Sequence, residues 1–311
     1  MKSAKNMIEP VKRKQAGSEI RGGRRSWKDK LLANLFPFKN PPIILLSYPR
    51  SGSTWVGDVL SKSDSVAYLC EPITQPYLMK EGGKYALVDV NNDSLAFSIY
   101  AKLGDDIFRG VPPAHSGVVA DLHEFSIFQR INRHILIKEV NPRAAEFYCA
   151  RYGPKILFLL RHPAAVALSF SQQGWLDSPD TQLETGNSDA SVWERFGFAY
   201  GSIMKNALEV IKSSDHEVLM YEDLALNSER EFEKLFRLLG LKRPKNYKAI
   251  MQRYCYSKEK VKGAFHTERD SRNMVYKWCK QLSPQEILWL KEGYGLSGLE
   301  FYRNDSDWSC G

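Results

Sequence analysis

The chain has 311 residues and contains no apolar run long enough to cross a membrane as a helix. Its longest apolar runs, residues 41–46 and 156–160, fall far short of the roughly 20 residues that a spanning helix needs. No apolar stretch precedes the basic cluster near the first residue, so no secretory signal is predicted. These absences predict a soluble protein, and we expect it in the cytoplasm.

Cysteine is scarce, and its spacing is uninformative. The chain has five cysteines, an odd number, and no C-x-x-C pair, so neither a zinc site nor a redox motif is predicted. Free thiols in a reducing compartment are the expected state of Cys70, Cys149, Cys255, Cys279 and Cys310. We expect no metal cofactor.

Acidic residues are scarce only at the beginning of the chain. Residues 1–40 hold 11 Lys/Arg against 3 Asp/Glu, whereas the other 271 residues hold 33 of each sign, so the net charge of +8 belongs to this segment. Such composition predicts a flexible basic tail over 1–40, with a short helix around 27–35. The alternative is an arm that touches an anionic surface or polymer. No nucleic-acid partner is expected for the domain over 41–311.

From residue 41 onward, short apolar runs alternate with helical stretches. Strands are predicted at 42–48, 134–140, 155–160 and 217–221, and the main helices at 53–62, 144–151, 164–172, 191–212 and 229–239. This alternation predicts an α/β protein with a P-loop-like three-layer fold, in which helices flank a central parallel sheet. Residues 75–133 look less regular and turn-rich, and two further helical stretches are expected at 274–280 and 284–291.

The first chemical motif, YPRSGSTW over residues 48–55, joins the first strand to the following helix. Unpaired backbone N–H groups at a helix start attract anions, and Gly52 lets the backbone approach one closely. Arg50 adds a fixed positive charge, and hydroxyl donors come from Ser51, Ser53 and Thr54. The loop lacks the Gly-Lys pair of an ATP-binding P-loop. The alternative is that the serines only cap the helix.

The second motif follows the strand at 155–160. Arg161 stands at its carboxyl end, where open α/β sheets place their ligands. Pro163 suits the first turn of a helix, and Ser169 lies about two turns further, on the side of the strand end. An arginine and a hydroxyl at one place suit a phosphate monoester. The alternative is an arginine–carboxylate pair beside an unrelated serine.

Together the two motifs resemble the donor-binding loops of sulfotransferases that use 3′-phosphoadenosine 5′-phosphosulfate (PAPS), and the resemblance covers residues 42–290. It implies PAPS as co-substrate, 3′,5′-adenosine bisphosphate as product, and no metal. The segment VLMYEDL over 218–224 resembles the strand whose tyrosine lies by the adenine, which nominates Tyr221. Trp55 would offer a stacking face to the same base. Alternatively, both rings belong to the core.

The resemblance also assigns catalytic roles. Arg50 matches the carbohydrate and tyrosylprotein branches, since the cytosolic branch usually has lysine there. Those branches place a catalytic glutamate at the separation that Glu71 has from Arg50, whereas the position of the cytosolic branch's histidine is Val140 here. Glu71 is therefore predicted as the base, with Arg50 and Lys138 as the cations at the leaving group. Glu139 is an alternative base, but it should point away if its neighbour Lys138 points in.

A weaker likeness concerns residues 262–278, which resemble the late loop that closes over the nucleotide. Donor contacts are carried over to Ser271 and Lys277, with Arg269 and Arg272 as extras; the alternative is a solvated polar loop. His162 is expected to be incidental.

The acceptor, a hydroxyl or amine of a small molecule or glycan, is expected to bind at residues 75–133 and 175–187. Two other functions compete with sulfuryl transfer: an ATP-dependent kinase of related fold, and a non-catalytic module that binds nucleotide or polyanion.

Overall fold

The computed structural model describes residues 27–83, 85–112, 118–119, 121–178, 189–257 and 270–309. Predictions for residues 1–26, 113–117, 179–187 and 262–269, including Arg269, fall outside this part of the chain. All site residues predicted from the two main motifs are described.

Five parallel strands form the central sheet. They are β1 (Ile43–Ser47), β2 (Val66–Cys70), β3 (His134–Glu139), β4 (Lys155–Leu160) and β5 (His216–Met220), in the order β2-β3-β1-β4-β5. The four predicted strands are confirmed within one residue at either end, and β2 adds a fifth strand directly before Glu71. Since all strands are parallel, their carboxyl ends lie at one edge of the sheet.

Helices cover both faces of this sheet. The described helices are α1 (Trp27–Leu35), α2 (Ser53–Leu60), α3 (Thr74–Met79), α4 (Ser94–Phe108), α5 (Ile127–Arg130), α6 (Ala145–Tyr152), α7 (Pro163–Ser171), α8 (Val192–Ile211), α9 (Tyr221–Leu226), α10 (Ser228–Leu238), α11 (Tyr247–Cys255) and α12 (Pro284–Ser297). Alternate residues of β1 enter separate cores: Ile44 and Leu46 pack on the side of α8, and Ile43 and Leu45 on the side of α2. The predicted three-layer α/β fold is confirmed.

The chain leaves β1 and β4 in opposite directions. From β1 it passes through α2 to β2 at one edge of the sheet, and from β4 through α7 and α8 to β5 at the other. Adjacent strands whose connections diverge leave a crevice at their carboxyl ends, the usual ligand site of such folds. Both predicted donor motifs follow these two strands.

Two regions differ from the expectation. Residues 75–133, which look irregular in sequence, contain the 15-residue helix α4. Asp93 caps it by accepting a hydrogen bond from the Ala96 N–H, and its buried residues recur every three or four positions, which is the signal that was overlooked. The stretch at 274–280 is not one helix: it begins at the end of one 3₁₀ turn, Ser271–Met274, and ends with a second, Lys277–Lys280.

The cysteines do not all follow the prediction. Cys70, Cys149 and Cys255 are free, as expected, but Cys279 is disulfide-bonded. The spacing rule failed there because chain separation does not limit which cysteines a fold brings together. Among the described helices, none is both long and apolar enough to cross a bilayer. The helix expected at 27–35 is present as α1, with Ala33 buried and Lys30 paired to Asp106.

Candidate active site

The loop after β1 has an unusual backbone. Arg50 has φ 68° and Gly52 has φ 93°, both in the left-handed region that residues with a Cβ avoid. Gly52 also lies against the ring of Tyr221, where an added Cβ would stand 2.6 Å from a ring carbon. Only glycine fits this position, because any side chain would meet both the strain and the ring.

The start of α2 has no side-chain cap. Gly52 occupies the cap position, and no side chain there hydrogen-bonds the first backbone N–H groups. The hydroxyl of Ser53 instead accepts a 2.8 Å hydrogen bond from Ser47. The Ser51 hydroxyl is fully buried and has no hydrogen-bond partner among the described residues. A helix start with uncapped N–H groups and a free buried donor suits an anion.

Arg161 connects the two motifs that are predicted to bind the donor. From the end of β4 its guanidinium donates to the Arg50 carbonyl oxygen at 3.0 Å and to the Met274 carbonyl oxygen at 3.2 Å, and it lies 4.2 Å from the centre of the Tyr221 ring. Its Nε is buried and has no partner in the described part of the chain. Ser169 accepts a 2.8 Å hydrogen bond from Arg50 Nε. The arginines and the serine therefore meet at one place.

The two aromatic residues predicted beside adenine are both buried. Trp55 and Tyr221 pack edge to face at 5.4 Å between ring centres, and the indole N–H of Trp55 donates to the Tyr254 carbonyl oxygen at 2.8 Å. This arrangement is typical of core aromatics. Tyr221 supports both Gly52 and Arg161, so it shapes the site from beneath, and contact of either ring with a base stays a prediction.

A carboxylate and an ammonium meet at the ends of β2 and β3. Glu71 follows β2 with φ 50°, and its side chain forms an ion pair with Lys138. Lys138 is 2% exposed and Glu71 28%, so a bound molecule can reach the carboxylate. Burial by itself would lower the pKa of Lys138, but the nearby Glu71, Cys70 and Glu139 outweigh it and raise that pKa. Lys138 is thus a fixed cation at neutral pH.

Glu139 points away from this ion pair, as strand alternation predicts. It is fully buried and accepts hydrogen bonds from the Ile73 N–H at 2.7 Å and the Thr74 hydroxyl at 2.5 Å. Burial raises its pKa to about 7, against the lowering effect of these hydrogen bonds. From the sequence, Glu139 could be nominated only as an alternative base. Its two hydrogen-bond partners lie 65 and 66 residues away, so no local pattern relates them to it.

The segment after residue 270 contacts the crevice through a backbone group, the Met274 carbonyl oxygen that accepts from Arg161. Ser271 is buried and donates to the carbonyl oxygens of Ala225 and Cys255, while Arg272 pairs with Asp270. Lys277 is half-buried at the start of the second 3₁₀ turn. Donor contacts by Ser271 and Lys277 stay predictions. The Met274 carbonyl oxygen, which helps to hold Arg161, was not foreseen.

His162 has a structural place. Its ring stacks on Trp278 at 4.6 Å, and its Nδ1 accepts a hydrogen bond from the Ala164 N–H at the start of α7. Burial lowers its pKa to about 3, so the imidazole is neutral. A neutral ring held in this way caps a helix and does not supply charge to the crevice.

The fold and this site define an α/β protein in which cationic side chains and an uncapped helix start lie at the same sheet edge as a carboxylate–ammonium pair. A family model described as a sulfotransferase domain matches residues 40–288, which is most of the chain. The chain therefore belongs to the sulfotransferase domain family. None of the curated proteins compared with it matches significantly.

Three of the solved structures that are similar to this chain illustrate the likeness. The sulfotransferase domain from the curacin biosynthetic pathway is 18% identical, with 79% of this chain and 93% of that chain covered and a TM-score of 0.49. Mouse sulfotransferase SULT7A1 complexed with PAP is 18% identical, with 88% and 89% covered and a TM-score of 0.47. The sulfotransferase from Alicyclobacillus acidocaldarius is 15% identical, with 86% and 98% covered and a TM-score of 0.48.

Proposed function

We propose that the protein transfers the sulfuryl group of PAPS to a hydroxyl or amine, with Glu71 as base, as in the carbohydrate and tyrosylprotein branches. One observation carries the proposal. The ends of β1, β3 and β4 bring Arg50, Lys138 and Arg161 to the edge of the sheet where α2 begins without a cap. The carboxylate of Glu71 stands at the same edge, paired with Lys138.

The described groups fit a donor with two phosphate sites. The start of α2 with Arg50 and the free Ser51 hydroxyl suits the 5′-phosphosulfate, because all three favour negative charge. Arg161 and Ser169 suit the 3′-phosphate, and the free Nε of Arg161 leaves one donor for it. A sulfuryl group carries less charge than a phosphoryl group, so arginine and lysine can replace a metal here.

The residues can carry out in-line transfer. A bond forms between the acceptor oxygen or nitrogen and sulfur, while the bond from sulfur to the 5′-phosphate oxygen breaks. Glu71 takes the acceptor's proton, which avoids a cationic product. Arg50 and Lys138 neutralise the charge that develops on the phosphate oxygen, where fixed cations contribute most. The product 3′,5′-adenosine bisphosphate leaves with that oxygen.

The acceptor is proposed to be a small molecule or a glycan bound beside Glu71 by residues 75–133 and 175–187. A screen of phenols, sugars and amines with donor labelled in the sulfuryl group identifies it. Label transfer to one class names the acceptor, and no transfer to any of them contradicts the proposal.

The cytoplasmic location stays a prediction from the sequence, and the disulfide of Cys279 favours an oxidising compartment instead. Peptide mapping of the native protein without reductant separates the two. A free Cys279 thiol supports the cytoplasm, and a disulfide-linked peptide supports an oxidising compartment.

Calorimetry tests the donor assignment. We expect 3′,5′-adenosine bisphosphate to bind tightly without magnesium, because the crevice supplies its own cations. Magnesium-dependent binding of ATP with no binding of the bisphosphate would support a kinase and contradict the proposal. Bisphosphate binding without label transfer to any acceptor would leave a non-catalytic nucleotide-binding module.

A further inference from the structure

The turn that carries Glu71 is held from two sides by neighbouring residues of β3. Lys138 binds the Glu71 side chain, and its carbonyl oxygen accepts the Glu71 N–H at 2.7 Å. On the opposite face, Glu139 accepts hydrogen bonds from the backbone N–H of Ile73 and from the Thr74 hydroxyl, with a longer one from the Thr74 N–H. One dipeptide thus holds both ends of residues 71–74.

This turn needs such support. Glu71 has φ 50°, a left-handed conformation that is strained for a residue with a side chain and persists only where the surroundings impose it. The Glu71 carbonyl oxygen accepts the Gln75 N–H at 3.2 Å, so the conformation of Glu71 is coupled to the start of α3. Glu139 fixes that same start through Ile73 and Thr74.

We infer that Glu139 is a positioning residue, whose carboxylate fixes the turn of residues 71–74 and thereby aims Glu71 at the acceptor. The inference rests on the proposed role of Glu71 as base. Glu139 itself is fully buried and reaches no bound molecule. Its effect on the reaction passes through the backbone of α3 and the strained Glu71.

The protonation state of Glu139 changes the strength of its hydrogen bonds to residues 73 and 74. An ionised carboxylate accepts all of these hydrogen bonds, whereas a protonated one loses acceptor capacity. Tyr100 from α4 and Tyr148 from α6 face it, and the charges of Glu71 and Lys138 act on it from the opposite face of β3. Burial raises the pKa of both tyrosines, so they stay neutral, and the pKa of Glu139 is about 7. The hold on Glu71 therefore strengthens as the pH rises through neutrality.

Hydrogen exchange tests whether Glu139 fixes the turn of residues 71–74, and it needs no sulfuryl acceptor. In Glu139→Ala, the Ile73 and Thr74 amides should exchange about tenfold faster, the effect of losing one hydrogen bond. Glu222→Gln is the matched control, since Glu222 also accepts from a backbone N–H (His162) and from a hydroxyl (Tyr302). It should leave exchange at Ile73 and Thr74 at the wild-type rate. Unchanged exchange in Glu139→Ala would overturn the inference.

Turnover tests the consequence for catalysis, with labelled donor and an acceptor from the screen. Glu139→Gln should lower kcat between about 10- and 100-fold, the cost of a misplaced catalytic group, while bisphosphate affinity stays at the wild-type value. In the wild type, protonation of Glu139 should contribute to a fall of kcat below pH 7, and this contribution should be missing in Glu139→Gln. Glu139→Asp, which keeps a carboxylate, should restore part of the rate.

The two proposals fail separately. If Glu71→Gln turns over normally, the proposed base is wrong. If Glu71→Gln is inactive but Glu139→Gln keeps the wild-type kcat and pH profile, only the positioning role is wrong. A melting temperature for each variant excludes unfolding as the cause.

Discussion

The two halves of the sheet edge present their charges differently. At the ends of β1 and β4, the Arg50 guanidinium donates to the Ser169 hydroxyl and the Arg161 guanidinium donates to two backbone carbonyl oxygens. At the ends of β2 and β3, the cation Lys138 is paired with Glu71. In the first half the described contacts thus join guanidinium groups to neutral oxygens, whereas in the second a cation and a carboxylate form an ion pair. Both halves contain a strained residue, with Arg50 at φ 68° and Glu71 at φ 50°.

Glu71→Gln should affect the β2–β3 half of the sheet edge and leave the β1–β4 half unchanged, and we expect the largest effect from this variant. Transfer should fall by about 100- to 10,000-fold, because the amide cannot take a proton. Bisphosphate binding should stay at the wild-type value, since the β1–β4 half is unchanged. Kinetics with labelled donor and calorimetry measure the two effects. The surface variant Glu209→Gln on α8 is the control, and near-normal turnover by Glu71→Gln would remove the residue from its role.

The pH dependence of stability should report on Glu139, which belongs to the β2–β3 half of the sheet edge. The pKa of Glu139 rises from 4.5 in the unfolded chain to about 7 in the folded protein. In that window the folded protein binds the proton more tightly, so the free energy of unfolding falls as pH rises, by on the order of 3 kcal/mol.

Comparison of wild type with Glu139→Gln measures this contribution by denaturant titration at several pH values. The difference isolates Glu139 because His162, whose lowered pKa gives the opposite slope between about 3 and 6.5, is present in both proteins. Parallel pH curves for the two proteins would contradict the expectation.

Arg161→Ala should weaken bisphosphate binding at the β1–β4 half of the sheet edge. Bisphosphate affinity should fall about 10- to 100-fold, because hydrogen bonds to charged groups contribute about 1.5–3 kcal/mol. Arg161→Lys should recover only part of this loss, since lysine cannot make the planar contacts of the guanidinium. Arg151→Ala, an exposed arginine paired with Asp105, is the calorimetric control. Equal affinity in Arg161→Ala and Arg151→Ala would dissociate Arg161 from the donor.

Gly52→Ala should have the smallest effect, and we expect it to act on the stability of the protein. The methyl group meets the Tyr221 ring and a φ of 93°, so we expect a loss of about 1–3 kcal/mol in the free energy of unfolding. Gly295→Ala on α12, where an added Cβ meets nothing within 4 Å, should instead stabilise by about 0.5–1 kcal/mol. Denaturant unfolding measures both, and the same sign for both would contradict the account of the loop.

The sheet could be predicted closely because buried parallel strands are written as continuous apolar runs. Arg50 and Arg161 could be nominated because each follows a buried strand that ends at this edge, whereas Glu71 was nominated by the family resemblance. Helix α4 was overlooked although Asp93 and the spacing of its buried residues mark it. The late segment was only partly foreseen, since short 3₁₀ turns have little periodicity.

Contacts between distant residues could not be read from the chain. The placement of Ser169 on Arg50 Nε, the support of Gly52 by Tyr221, and the disulfide of Cys279 each join residues that no local pattern relates. The hydrogen bonds of Glu139 could not be predicted either, because in the sequence it is simply an acidic residue next to Lys138.

The sequence alone determined the α/β class, the order of strands and helices, and which polar residues follow the strands, because these depend on local periodicity and neighbouring residues. Only the tertiary structure decided which groups pair. It left the Ser51 hydroxyl and Arg161 Nε without partners in the described chain, paired Lys138 with Glu71, and turned Glu139 to the opposite face. The reason is physical: a hydrogen bond or ion pair depends on distances of a few ångströms in space, which spacing along the chain does not specify.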